Sequence, residues 1–107
     1  MLNVRMKVSG QSLERDGEWP EIVRGTNNYV CVHISPDSEW RNRKSIVVSM
    51  KNVSGYVVNK ILRLSGGMFS FFLPEEITQE SRVYIKLYGT GPDGLKVSTE
   101  DCAIEQS

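Results

Sequence analysis

The chain carries one histidine, two cysteines, no surplus of either charge and no long apolar run, and each scarcity narrows what it can do. With His33 the sole imidazole, any Ser-His-Asp or Cys-His nucleophile must be built around it. It alternates with Tyr29 and Cys31 along an apolar segment, the setting of a structural histidine on a sheet face. A zinc site would need Cys31, His33, Cys102 and a carboxylate, and lacks the short-spaced ligand pairs that make such motifs specific. Thirteen basic and thirteen acidic side chains cancel, whereas phosphate-backbone binding calls for a basic excess or stripe. The nearest approach to a stripe, Arg41-Asn42-Arg43-Lys44, reads as a solvated loop. No stretch approaches the roughly 18 apolar residues of a membrane span. The first eight residues alternate apolar and polar, where a secretory leader has a continuous apolar core. Synthesis in the cytoplasm is therefore expected, and the Asn52-Val53-Ser54 sequon carries no weight. Cys31 and Cys102 are expected as reduced thiols in core or interface positions, a disulfide between them being the alternative.

The acidic residues form no constellation either. Asp37/Glu39, Glu75/Glu76 and Glu100/Asp101 fall at loops and strand ends, whereas general acid–base work needs carboxyls converging in a pocket with separated pKa values. Gly66-Gly67 and Gly89-Thr90-Gly91 open no helix at phosphate-loop spacing. The expectation is a protein that is not an enzyme, with no cofactor, no metal, no nucleic acid and no membrane partner. A net charge of zero favours association, so a homo-oligomer is expected.

What the sequence does have is alternation. Apolar residues recur at period two, the strand signature: Val4, Met6 and Val8; Val30, Val32 and Ile34; Phe69, Phe71 and Leu73; Val83, Ile85 and Leu87. Strands are expected over 3–8, 29–35, 45–52, 56–64, 68–73, 82–88 and 95–104, with a short edge strand at 22–24. Residues 12–17 read as polar and turn-prone. Turns fall at Gly10, at 25–28, after Pro36, at 53–55 and 65–67, and at a hairpin loop over 89–94. Pro74-Glu75-Glu76-Ile77 reads as a single helical turn near 74–78, with Pro at the first helical position and acids at the positive end. Seven or eight short strands at such spacing predict an all-β, antiparallel β-sandwich in one domain over residues 1–107, a small closed barrel being the alternative. The order Cys31, Trp40, Cys102 is not the antibody pattern, because Cys102 falls on the last strand and not the penultimate one.

A longer pattern is more specific. Tyr29-Val30-Cys31-Val32-His33-Ile34-Ser35 leads through an acidic turn to Trp40. Phe69-Ser70-Phe71-Phe72-Leu73-Pro74-Glu75-Glu76-Ile77 follows. Val83 to Gly89 and Lys96-Val97-Ser98-Thr99-Glu100 complete the pattern. This order resembles the small immunoglobulin-like domain of tail, baseplate and head-fibre proteins of bacteriophages infecting Gram-positive bacteria. It covers about residues 29–104. The region 11–25 is longer and more polar than that pattern. The resemblance implies an immunoglobulin-like sandwich and a virion structural protein, whose partners are capsid, collar or tail proteins. It also implies Trp40 as an end cap over Val32 and Phe71, with Ile77 tucked beneath the sandwich. Outward apolar residues, Tyr56, Phe72, Tyr84 and Tyr88 with Trp19 in the early loop, are the expected contact residues, since such rings combine apolar area with a polar handle. The alternative is a carbohydrate-binding module using Trp19, Tyr84 and Tyr88 as platforms for a glycan on the host surface.

Overall fold

The computed structural model describes residues 1–25, 29–43, 45–90 and 96–105, of Lys96 and Glu105 the backbone only. In chain order the elements are β1 (Leu2–Ser9), β2 (Ser12–Arg15), β3 (Val30–Pro36), α1 (Ser38–Arg41), β4 (Ser45–Asn52), β5 (Val57–Leu62), β6 (Leu64–Ser65), β7 (Met68–Phe72), α2 (Glu75–Thr78), β8 (Arg82–Thr90), β9 (Lys96–Ser98) and β10 (Cys102–Glu105). They form an all-β sandwich of two sheets, ordered β2-β1-β3-β7-β6 and β10-β8-β4-β5, with β9 also paired to β8.

The alternation explains the core. Val4, Met6, Val8, Val30, Val32, Ile34, Phe69 and Phe71 line the inner face of the first sheet. Ile46, Val48, Met50, Val83, Ile85 and Leu87 line that of the second, and all are buried in one cluster. Successive side chains of a strand point to opposite faces, so the same residues leave an equally regular outer face.

One pairing departs from the antiparallel expectation. β1 runs parallel to β3, from Leu2 opposite Val30 to Val8 opposite Pro36. The cause is β2, which the polar stretch 12–17 concealed: it folds back on β1 from Ser9 opposite Ser12 to Met6 opposite Arg15. That hairpin returns the chain to the end where β1 began, and β3 then starts beside Leu2. The expected edge strand at 22–24 does not form. Ile22 is buried in the core from a loop, and the segment is tied down by Gly25 N–H donating to the Thr78 carbonyl at 2.7 Å. The expected final strand is broken into β9 and β10. The turns at 26–28 and 91–94 and the residue Lys44 lie outside the described residues.

The two ends of the sandwich are closed differently. At the end where β1 and β3 finish, Trp40 is fully buried. It rides on α1, a turn the sequence reading passed over. Asp37 caps α1, its carboxylate accepting from Trp40 N–H at 2.8 Å and from Gly10 N–H at 3.0 Å. The Trp40 indole N–H donates to the Gly10 carbonyl at 2.6 Å. The Arg43 guanidinium lies 4.7 Å from the indole centre. A Cβ on Gly89 would collide with Arg43 Cδ and come within 2.8 Å of Trp40 Cζ3, so the strand can pass this end only without a side chain there. At the other end α2 buries Ile77 and Thr78, with Pro74 standing as its N-cap, one position earlier than expected. Buried Asn52 donates to the Glu76 carbonyl at 3.2 Å and accepts from the Ser54 and Tyr56 amides.

Candidate functional site

The five expected contact residues do not form one surface. Trp19 is half-buried against the core, its indole N–H donating to the Arg5 carbonyl at 2.8 Å and its ring under the Arg15 guanidinium. Trp19 thus holds the loop after β2 in position while staying partly exposed. Phe72 is 37% exposed and belongs to the outer face of the first sheet, opposite Cys31 in the β3–β7 register. Tyr56 is exposed in the β4–β5 turn. Tyr84 and Tyr88 share the outer face of the second sheet.

The outer face of the first sheet holds a polar trio. His33 Nδ1 and Ser70 Oγ are 2.7 Å apart, and His33 Nε2 and Asn3 Oδ1 are 2.9 Å apart. With Asn3 Oδ1 accepting from Nε2–H, the neutral ring leaves Nδ1 to accept the Ser70 hydroxyl proton. This is the geometry of a nucleophile, a base and an orienting group. His33 and Ser70 are direct partners in the β3–β7 ladder, whose backbone amides are engaged in strand pairing. An acyl-transfer site also needs donors aimed at a developing oxyanion; the charged group nearest in register is Arg5, the ladder partner of His33. Both Cys31 and Cys102 are free thiols. Burial pushes the Cys31 thiol up; burial also raises Cys102, partly opposed by the nearby Arg15 side chain and backbone.

The outer face of the second sheet is the better-built surface. Strand register arranges it in three rows: Ile61, Val47 and Tyr88; Asn59, Ser49 and Lys86; Val57, Lys51 and Tyr84. Two shallow depressions lie on it. One is lined by Ser45, Val47, Ser49, Asn59, Tyr88, Gly89 and Thr90, the other by Ser49, Lys51, Val57, Tyr84, Lys86, Tyr88 and Asp101. Lys86 Nζ is 3.6 Å from Asp101 and 5.8 Å from the Tyr88 ring centre. The face ends at β5, an edge strand of the second sheet. There Tyr56 is 53%, Val57 48% and Ile61 76% exposed.

Sequence reasoning found Tyr84 and Tyr88 but missed Val47, Val57 and Ile61. The segment 56–64 is apolar on both of its faces, so alternation could not say which side was covered. No family model, curated protein or solved structure matches the chain.

Proposed function

We propose that the chain is a bacteriophage virion structural protein that works by protein–protein assembly, as a head-fibre or decoration, collar, tail or baseplate component. The strand order supports the immunoglobulin-like part of that reading. β1-β3-β7-β6 against β10-β8-β4-β5 follows the order A-B-E-D against G-F-C-C′ of that fold, with β2 and the parallel β1–β3 pair as departures. The observation that carries assembly is the bare β5 edge. Among the described residues no strand pairs with its outer side, and Tyr56, Val57 and Ile61 present apolar area beside it. Natural sheets usually guard such an edge with charge. Here the one charged residue of β5, Lys60, is engaged by the Phe72 carbonyl of the other sheet, 3.1 Å distant, and leaves the outer face of the strand uncharged. An edge strand with exposed apolar residues on its outer face is a template for another chain.

Mass spectrometry of purified particles tests the reading: the chain is expected among the virion proteins, and its absence sinks the idea. Ile61→Lys, which is exposed and leaves the core intact, is expected to abolish incorporation and any self-association seen by sedimentation.

A second reading, attachment to a host-surface glycan, is favoured by a different observation. Around the Tyr88 ring stand Ser45, Ser49, Asn59 and Thr90, the mix of ring face and hydrogen-bonding groups that suits a sugar. Binding to a glycan array that vanishes in Tyr88→Ala would establish it.

A further inference from the structure

We propose that the outer face of β4, β5 and β8 is a saccharide site of two adjoining subsites, and that the sugar held beside Tyr84 is acidic. The proposal rests on the glycan-attachment reading and names its ligand class.

The first subsite is the depression at Tyr88. Its ring and the Val47 methyls offer an apolar surface to the C–H face of a sugar. Ser45, Ser49, Asn59 and Thr90 surround them, and their side chains hold no hydrogen bond among the described residues. Three hydroxyls and an amide supply donors and acceptors together, which is what a neutral sugar ring, with hydroxyls on its rim, requires. Among the described residues, no charged side chain lines this depression.

The second subsite, at Tyr84, differs in charge. Lys51 is the direct cross-strand partner of Tyr84, is exposed, and has no ion pair among the described residues. Lys86 stands between the two tyrosines on β8 and shares the depression with Lys51. Asp101 neutralises one of the two, at 3.6 Å from Lys86, and leaves a net positive spot on a chain whose total charge is zero. A carboxylate or phosphate on the bound sugar answers that charge, and charge-assisted hydrogen bonds are roughly twice as strong as neutral ones. Asp101 retains an oxygen for a sugar hydroxyl. Tyr84 and Tyr88 are four residues apart on one strand, about 13 Å at the usual rise, so the ligand is an oligosaccharide spanning both subsites and not a single sugar. Ser49 lines both depressions and joins them.

The test is an array of oligosaccharides bearing uronate, sialate, sulfate or phosphate groups beside their neutral parents, probed with wild type, Lys51→Gln/Lys86→Gln and Tyr88→Ala. All the substituted side chains lie on the outer face, away from the core. Wild type is expected to bind acidic members at least about tenfold more tightly than their parents. The double lysine variant should lose that preference, binding acidic members no more tightly than their parents, and Tyr88→Ala should lose binding to both. Equal binding of acidic and neutral members, unchanged by the lysine substitutions, overturns the acidic subsite and leaves the attachment reading standing. No binding to any member overturns both. Acidic binding that survives Tyr88→Ala is charge attraction alone and overturns the two-subsite arrangement.

Discussion

Asp37 ties three parts of the chain together at the Trp40 end. Its two carboxylate oxygens take the amides of Trp40 and Gly10, so one side chain caps α1 and fixes the β1–β2 turn. Burial by itself would raise its pKa. The Trp40 and Gly10 amides, the Ser9 hydroxyl and the Arg43 cation outweigh that and hold the carboxyl below the ordinary aspartate value. A carboxyl depressed in the folded state favours folding wherever it is ionised. Its contribution is therefore full above the unfolded value of about 3.9 and is lost as pH falls through the lower folded value. Asp37→Ala is expected to cost about 1–2 kcal/mol in urea unfolding at neutral pH, as for a lost helix cap. The variant should also show a smaller loss of stability than wild type between pH 5 and pH 2, approximately the acid range in which aspartates titrate. Equal acid slopes would show that Asp37 is not the titrating group.

At the scale of elements, the break between β9 and β10 has a chemical device at its centre. Thr99 N–H donates to the Leu87 carbonyl at 2.9 Å, and Leu87 N–H donates to the Thr99 hydroxyl at 3.0 Å. A side-chain oxygen thus stands in the ladder where a backbone carbonyl would. The next amide, of Glu100, turns to the Gln11 carbonyl in the β1–β2 turn of the other sheet, at 2.8 Å. Thr99→Val would leave a buried Leu87 N–H unpaired and is expected to cost about 1–3 kcal/mol in a urea melt, with Thr99→Ser recovering most of it. None of this was legible in the sequence, where 95–104 looks like one strand. Strands whose inward residues are all β-branched or aliphatic were legible, as Val83, Ile85 and Leu87 show. β2 was not, because Leu13 is its only apolar residue. Nor was α1, since a single turn has too few residues to show a helical period. Its cap, Asp37, stood in plain view after Pro36. For the candidate surface, Tyr84 and Tyr88 could be read from alternation. Their grouping with Lys51, Ser49 and Asn59 needed the cross-strand register, which alternation does not contain.

At the scale of the whole molecule, both long sides of the sandwich are bridged, though the two ladders stay separate. On one side the chain crosses from β5 to β6 at Arg63, and Lys60 reaches the Phe72 carbonyl. On the other, the Glu100 N–H reaches the Gln11 carbonyl. Both thiols are raised in pKa and at least half-buried, so at neutral pH they stay protonated and shielded. A thiol-specific disulfide reagent is expected to modify the native protein slowly at both sites and the urea-unfolded protein at once. Fast native labelling of Cys31 would mean that the first sheet opens locally. The parallel pairing of β1 with β3 also has a mechanical meaning. β1 begins and β10 ends at the same end of the sandwich, the one closed by α2. A pull between those two strand ends draws them sideways off β3 and β8, parting ladder bonds one after another where a lengthwise pull would load them all together. The fold is expected to resist tension weakly along that line, and to bear more load when held by its faces and edges than by its strand ends.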